Sequence, residues 1–348
     1  MRDIAFAVPG DLNTPTGGYR YDRAVIAELR RLGHKVDHIE LGAGFPFPSD
    51  EEISDAAARL KTVPPAAVLM VDGLALGAMP AGVLEAVPAT LVGLVHHPLA
   101  LETGLDGAVA AQLRTSERDA LATVNAVVVT SPHTAEILKD QFAVSKASIT
   151  IALPGLSDRW QQVKNAPIEP PLIVSVGSIS PRKGFDVLVV ALGLVSDLAW
   201  TCDIIGAMDR NTPTAIALAE NIAALGLSER IRLRGALEEA AIAERYRDAT
   251  LFALATHYEG FGMVFAEAMA AGLPIVGTTG GAVPGVVPPE AGVLVPPGDA
   301  QSFAAALRDL LTDIPRRGAC AVAARNAGVR FGGWEETART ISGVIEKF

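Results

Sequence analysis

One stretch of sequence decides the fold, and it reads Glu259-Gly260-Phe261-Gly262-Met263-Val264-Phe265-Ala266-Glu267. An apolar run at 250–255 precedes it, and an alanine-rich run that stops at Gly272 follows it. A glycine just past an apolar run is a typical helix end. The order therefore predicts strand, turn, helix and strand. Such an order places both carboxylates at the edge of the sheet where α/β folds bind ligands.

The turn within this stretch has the chemistry of a phosphate and sugar site. The first backbone N–H groups of a helix have no partner within the helix and carry a partial positive charge, which suits an anion. Gly260 and Gly262 allow the backbone to approach a ligand closely. Glu267 lies about one turn into the predicted helix, within reach of sugar hydroxyls. Glu259 precedes the turn and is expected to face the same crevice.

This stretch resembles the nucleotide-sugar site of the retaining glycosyltransferases of family four, whose fold is named GT-B. Its hallmark is a pair of glutamates separated by seven residues with Gly-Phe-Gly after the first, and both features are present. The resemblance covers most of the chain and is tightest at 256–281. It implies an α/β protein with two doubly wound, Rossmann-like domains that face each other across a cleft. It also implies donor contacts from Phe261, Met263 and Val264, beside the glycines and Glu267.

Composition and charge narrow the class of protein. The chain has 348 residues, half of them hydrophobic, with 33 Gly and 23 Pro, which fits two domains of strands alternating with Ala/Leu-rich helices. The net charge is −10 and no Lys/Arg run exceeds two, which argues against nucleic-acid partners and a polybasic anchor. The uncharged stretch 268–289 is interrupted by glycines and prolines, so no membrane span is predicted. Cys202 and Cys320 belong to no CxxC pair and predict buried thiols in a cytoplasmic protein.

The pattern along the chain predicts two domains. Residues 1–165 are predicted to form an acceptor-side α/β domain, and residues 166–332 a donor domain, with the polar, proline-rich stretch 157–171 as the linker. A helix is predicted from about residue 21 to 31. The segment 333–348 is predicted to be helical, and the resemblance implies that it returns to the first domain. The predicted strands are 4–8, 67–71, 90–95, 126–129, 148–152, 172–177, 202–205, 231–234, 251–255, 275–277 and 293–295.

Two glycines and a histidine are the candidate residues of the first domain. Gly17 and Gly18 lie in a loop after the first predicted strand that is not GxGxxG, so the dinucleotide fingerprint is missing. His96 and His97 end another strand and face opposite ways, so at most one of them points into the crevice. The resemblance matches Gly17 and Gly18 with a glycine pair beneath the donor phosphates, and His96 with a histidine near the transferred sugar and the acceptor. An ordinary turn and a strand-capping histidine are the structural alternatives.

Two adjacent basic residues lie near the start of the second predicted domain. Arg182 and Lys183 follow its first predicted strand. Arginine can hold a diphosphate bidentately, and lysine neutralises it as a point charge. The resemblance matches Lys183 with the family lysine on the donor diphosphate. The chain departs from the family at Ser178, where many members carry arginine.

The sequence contains a second glycine pair and lacks several common metal-binding motifs. The resemblance matches Gly280 and Gly281 with a donor-side glycine pair. Gly285 stands where the family commonly has glutamate, so the chain has no carboxylate at that position. The sequence has no Asp-X-Asp, no HExxH and no cysteine zinc cluster. We therefore predict no metal and no cofactor, with a nucleoside-diphosphate sugar as the donor substrate.

The resemblance implies a retaining hexosyltransferase that moves a sugar from a UDP- or GDP-sugar to an acceptor hydroxyl of a saccharide, small molecule or lipid. Glu267 would orient the ribose, and Glu259 would position the sugar. Arg182, Lys183 and the helix N–H groups would stabilise the departing diphosphate. Two alternatives stay open: a sugar-nucleotide epimerase on the same fold, and a non-catalytic nucleotide-sugar-binding subunit, which the two departures suggest. The sequence offers no lysine after Lys183 until Lys347, which argues against a pyridoxal-phosphate-dependent phosphorylase.

Overall fold

A computed structural model describes residues 1–208 and 212–348. The chain divides into two compact units, which we call unit 1 (Met1–Gly155 with Gly332–Phe348) and unit 2 (Leu156–Phe331). Unit 2 thus begins before the predicted boundary at 165/166. The reason is a short helix, Asp158–Gln162, in the stretch predicted to be a linker. Its Trp160 is fully buried in the core of unit 2. One large aromatic side chain can thus pack into a core even where the surrounding sequence is polar and rich in proline.

Each unit contains a six-stranded sheet in which all the pairs are parallel. Each predicted strand is found, and the predicted α/β class is confirmed. The strands are rich in Val, Ile and Leu because both faces of a parallel sheet are covered by helices. The strands are β1 (Asp3–Pro9), β2 (Lys35–Leu41), β3 (Val68–Asp72), β4 (Thr90–Val95), β5 (Ala126–Val129), β6 (Ile149–Ile151), β7 (Leu172–Val176), β8 (Thr201–Ile205), β9 (Ile231–Leu233), β10 (Leu251–Ala253), β11 (Ile275–Thr278) and β12 (Gly292–Val295).

The helices connect successive strands of each sheet, and short 3₁₀ turns lie between some of them. The helices are α1 (Gly17–Arg31), α2 (Asp50–Lys61), α3 (Gly73–Leu76), α4 (Ala81–Glu85), α5 (Gly107–Leu121), α6 (Pro132–Phe142), α7 (Asp158–Gln162), α8 (Phe185–Leu194), α9 (Thr212–Ala224), α10 (Glu239–Asp248), α11 (Met263–Ala270), α12 (Val283–Val286), α13 (Ala300–Thr312), α14 (Ile314–Gly328) and α15 (Trp334–Ile345). The 3₁₀ turns are Leu99–Leu101, Lys146–Ser148, Pro181–Lys183 and Pro289–Ala291.

Unit 1 has the strand order β2-β1-β3-β4-β5-β6. Alternate residues of β1 point to opposite faces of the sheet. Phe6 joins the core beneath α1 and α15, whereas Ala5 and Ala7 join the core on the other face. The order reverses between β1 and β3, so the carboxyl ends of these two strands flank the crevice in which such sheets bind ligands.

Unit 2 has the strand order β12-β11-β10-β7-β8-β9, which is the Rossmann order when it is read from β9. Here the reversal lies between β7 and β10. The segments after these two strands carry Lys183 and Glu259, so the fold itself brings two sequence-predicted site residues to the same crevice.

Candidate functional site

The turn before α11 has the predicted form. Gly262 has a φ of 94°, and a Cβ added to it would lie 2.9 Å from the Phe265 ring, so conformation and space both favour glycine there. The helix starts at Met263, and its first N–H groups precede the hydrogen-bonded part of the helix. Glu267, in the middle of α11, is buried. The segment therefore presents a helix start and a buried carboxylate close together.

A buried ion cluster lies where β7 and β10 end. Lys183 Nζ is 2.6 Å from Glu259 Oε1, and Arg182 Nη1 is 3.5 Å from Glu259 Oε2. Arg182 Nη1 also donates to the carbonyl oxygen of Tyr258 at 2.8 Å. Burial raises the pKa of Glu259, but Lys183 and Arg182 more than offset this, and the pKa lies below its usual value. The carboxylate is therefore charged at neutral pH.

Backbone contacts hold this cluster in place. The carbonyl oxygen of Arg182 accepts from the His257 N–H at 2.8 Å and from Thr256 Oγ1 at 3.0 Å. Gly184 has a φ of 61°, and a Cβ there would lie 2.0 Å from the carbonyl oxygen of Ala255. The chain after β7 thus packs directly on the chain after β10, which fixes the positions of the three charged groups.

The second glycine pair supports the same segment. A Cβ on Gly280 would lie 2.5 Å from the carbonyl oxygen of His257, and one on Gly281 would lie 2.3 Å from that of Glu259. The Ala282 N–H donates to the Glu259 carbonyl oxygen at 2.8 Å. Packing alone thus requires both glycines, and their contact with a donor stays a prediction.

In unit 1, His96 lies in a cluster with two aspartates that the sequence analysis did not identify. His96 Nε2 is 2.9 Å from Asp22 Oδ1, on α1, and 3.5 Å from Asp72 Oδ2, at the end of β3. A Cβ on Gly18 would lie 3.4 Å from His96 Cδ2, so the ring lies against the first turn of α1. Around Gly17, by contrast, a Cβ would meet open space, so the chain's own packing does not demand glycine there.

Burial and charge shift the pKa values in this cluster. Burial raises the pKa of Asp72 to about 7, and the neighbouring Asp22 adds to the effect. For His96, burial lowers the pKa, but Asp22 and Asp72 outweigh burial and raise it overall. The three side chains also bring potential metal-ligating atoms within 4.8 Å of one another. Our prediction of no metal considered local spacing alone and stays a prediction.

Comparison with known proteins identifies the segment that holds the ion cluster. Residues 157–327 match the family model described as glycosyl transferases group 1. This segment belongs to the group 1 glycosyl transferases. Because unit 2 spans 156–331, the match falls on the unit that contains Lys183, Glu259 and α11.

A relative with a named activity shares part of this group 1 segment. D-inositol 3-phosphate glycosyltransferase of Xylanimonas cellulosilytica is 38% identical over 174 residues, which cover 49% of this chain and 41% of that protein. The chain spans about half the length of the curated relatives that it matches.

Solved structures confirm the GT-B fold class for this chain. Sucrose-phosphate synthase of Thermosynechococcus elongatus superposes with a TM-score of 0.84 at 20% identity, covering 100% of this chain and 99% of that one. Anabaena Alr3699/HepE in complex with UDP-glucose gives a TM-score of 0.80 at 16% identity and covers 100% of both chains.

The structure brings most of the sequence-predicted residues into two groups. Within the group 1 segment, Arg182 and Lys183 contact Glu259, and the glycine pair packs on the same backbone; the donor turn, from Gly260 to Val264, follows Glu259 directly. Unit 1 holds Gly18 beside His96. Across residues 1–208 and 212–348, no helix combines the length and apolar character that crossing a bilayer requires.

Asp22 and Asp72, the two candidate residues that the sequence analysis did not identify, have only weak indications in the sequence. Asp22 is a charged residue on the face of α1 that also carries the buried Val25 and Ile26, and an acid on an apolar helix face is unusual. Asp72 ends the apolar strand β3, at the sheet edge where ligands bind. Each signal is local, whereas the contact with His96 joins three distant parts of the chain.

Proposed function

We propose that the protein is a retaining glycosyltransferase that moves a sugar from a nucleoside-diphosphate sugar to an acceptor hydroxyl. The observation that carries the proposal is the ion cluster of Arg182, Lys183 and Glu259 at the point where the strand order of unit 2 reverses, next to the start of α11. The family match and the named activities of the relatives support it.

The cluster suits the charges of such a reaction. A departing diphosphate is anionic, and Lys183 and Arg182 are the cations placed at the crevice to stabilise it, together with the N–H groups that open α11. The sugar becomes positively charged in an oxocarbenium-like transition state. Because the pKa of Glu259 is lowered, its carboxylate is charged and can stabilise that positive charge. Glu259 contacts both cations, so a bound diphosphate would compete with its carboxylate for them.

The proposal assigns the donor mainly to unit 2 and the acceptor mainly to unit 1, where His96 lies beside Gly18. The uridine nucleotide is the first donor to test, because one structure of the same fold was solved with UDP-glucose. No metal is required in this scheme, since protein cations serve the diphosphate. Both cysteines are free and buried, which fits a reducing compartment, and we place the protein in the cytoplasm.

Calorimetric titration tests the donor site. The protein, in buffer with a chelator, is titrated with UDP, GDP and ADP, and then with the sugar conjugates of the nucleotide that binds. We expect saturable binding of one nucleotide, tighter with one sugar, and at least tenfold weaker in Glu267→Gln. Glu290→Gln, an exposed carboxylate in the same unit, is the matched control and should bind normally. Absence of binding by every nucleotide would contradict the proposal.

Product analysis tests the reaction. The donor is incubated with a panel of acceptors, and the anomeric configuration of the product is read by NMR. Retention of the donor configuration is expected. Conversion of the donor to an isomer without any acceptor would identify an epimerase instead. Donor binding without turnover across the panel would favour a non-catalytic subunit.

A further inference from the structure

His96 is held from one side by two carboxylates. Its Nε2 lies 2.9 Å from Asp22 Oδ1 and 3.5 Å from Asp72 Oδ2, and both aspartates are almost fully buried. The His96 side chain keeps 22% of its surface exposed. Among the described residues, the other ring nitrogen, Nδ1, has no hydrogen-bond partner. The ring is therefore anchored by one nitrogen and presents the other.

Aromatic packing fixes the ring from another direction. The Tyr21 ring meets the His96 ring edge-on, with centroids 5.0 Å apart, and Trp334 packs edge-on against Tyr21 at 5.5 Å. Tyr21 is itself anchored, because its hydroxyl donates to the carbonyl oxygen of Ala152 at 2.9 Å. This packing restricts rotation of the His96 ring before any ligand binds. A binding or catalytic group needs such preorganisation.

The charges of the cluster require a proton. Asp22 and Asp72 are two carboxylates in a buried space, and burial of two like charges is unfavourable unless a cation or a proton offsets them. The groups that face the ring are Tyr21 and Asp22 from α1 and Asp72 from the end of β3, while Thr130 donates to the His96 carbonyl oxygen at 3.3 Å. None of these is a basic residue, so the compensating proton lies within the cluster, where the imidazole Nε2 contacts both carboxylates.

We propose that Asp22 and Asp72 are positioning residues for His96: they accept a hydrogen bond from its Nε2–H, keep the ring protonated, and so present Nδ1–H as a donor to a substrate oxygen. The identity of that oxygen, on the acceptor or on the transferred sugar, rests on the proposed function. The state of the imidazole does not, because it is set by contacts within unit 1.

Nitrogen NMR of the histidine side chains in the full-length, ligand-free protein tests the proposal. The chain has six histidines, and His96 is assigned by the signal lost in His96→Gln. We expect both His96 nitrogens to carry protons at pH 6.5, with a pKa above the ordinary value of about 6.5. Asp22→Asn should weaken proton binding at least tenfold, and Asp72→Asn should weaken it in the same direction. Asp37→Asn, an exposed aspartate on β2, is the matched control.

Two results would overturn the proposal. One is a neutral His96 in the wild-type protein at pH 6.5, with its single proton on either nitrogen, which is readable even if the Asp22 variant does not fold. The other is an unchanged His96 pKa in both folded aspartate variants. No nucleotide or acceptor is present in these measurements, so their outcome is independent of the proposed transferase activity.

Where activity is found, the pH profile separates positioning from a merely structural role. The basic limb of kcat/KM for the acceptor should move to lower pH in Asp22→Asn, by the shift that NMR measures, because Nδ1–H is lost at lower pH. A uniform loss of activity at every pH, with no movement of the limb, would contradict a positioning role.

Discussion

Lys183 and Glu259 form a buried ion pair whose two partners come from the segments that follow β7 and β10, the central strands of unit 2. Removing two charges from water is costly, and only their mutual attraction and hydrogen bonds compensate for it. A pair of this kind contributes little net stability, yet it strongly penalises the loss of one partner. That asymmetry is testable without knowledge of the donor.

We predict that Lys183→Met lowers the free energy of unfolding of unit 2 by about 3 kcal/mol, since Glu259 is left buried with only the more distant Arg182. The double variant Lys183→Met with Glu259→Leu should regain most of that loss. Urea unfolding of the single and double variants, read as a double-mutant cycle, measures the coupling. Lys164→Met, an exposed lysine of the same unit, is the control. Simple additivity of the two changes would contradict the prediction.

Glu117 makes stability depend on pH. It is buried in unit 1, its two carboxylate oxygens accept from the Leu99 N–H at 3.0 and 3.2 Å, and burial raises its pKa to about 7. A carboxyl group whose pKa is raised by folding stabilises the folded state fully below its ordinary pKa, about 4.5, and this contribution is lost as the pH rises through about 7.

We therefore predict that Glu117→Gln flattens the fall in unfolding free energy between pH 5 and 8, because an amide accepts the same hydrogen bond without ionising. Denaturant unfolding at several pH values measures the slope. Asp72, whose pKa is also raised to about 7, contributes a slope of the same sign, so the variant reduces the slope without removing it. An unchanged slope would show that Glu117 is already ionised in the folded protein.

The sequence revealed the residues of unit 2 better than those of unit 1. Glu259 and Glu267 belong to one continuous turn and helix, so local spacing and chemistry identify them. The partners of His96 lie on α1 and after β3, and only the packing of α1 on the sheet brings them together. Contacts between residues that lie this far apart in the chain produce no recognisable spacing pattern in a single sequence.

At the scale of elements, the end of α11 is completed by a side chain from α14. The guanidinium group of Arg325 donates to the carbonyl oxygens of Ala270 at 2.6 Å and Ala271 at 3.0 Å, and to those of Gln161 at 3.1 Å and Val163 at 2.6 Å. The last carbonyls of a helix have no partner within it, so a multidentate donor there stabilises both the helix end and the chain after α7.

We predict that Arg325→Lys lowers the unfolding free energy by about 2–3 kcal/mol, since an ammonium group cannot reach four carbonyl oxygens and leaves some of them buried without a donor. Thermal and urea unfolding measure the effect. Arg330→Lys, an exposed arginine just past α14, is the matched control and should unfold like the wild type. Equal stability of the two variants would mean that water replaces the guanidinium contacts.

The strand β2 and the start of α1 were missed in the sequence. The strand β2 intersperses apolar residues among charged ones, and its pattern was not recognised as a strand, although the other edge strands, β6, β9 and β12, were predicted. Helix α1 begins at Gly17, ahead of the predicted residue 21, because Thr16 Oγ1 accepts from the Tyr19 N–H and starts the helix through two glycines that have poor helix propensity. Interior strands, by contrast, are recognisable in the sequence as runs of apolar residues.

At the scale of the whole molecule, the chain completes unit 1 only at its last helix. Helix α15 packs on α1, and its Ile341, Val344 and Ile345 are buried in the core beneath that helix. Polar contacts add to this packing: Thr337 Oγ1 donates to the Leu153 carbonyl oxygen at 2.7 Å, and His34 Nε2 is 2.8 Å from Ser342 Oγ. Folding of unit 1 thus depends on residues that follow unit 2 in the sequence.

We predict that the double variant Ile341→Ala with Ile345→Ala destabilises unit 1 and leaves unit 2 unchanged. Each buried isoleucine shortened to alanine costs about 2–5 kcal/mol, which together is comparable with the whole stability of a typical domain, about 5–15 kcal/mol. Hydrogen exchange measured by mass spectrometry should show protection lost in β1 and α1 and retained in β7 and β10. Arg339→Ala, exposed on the same helix, is the control. Equal loss of protection in both units would contradict the prediction, because it would mean that the two units unfold as one.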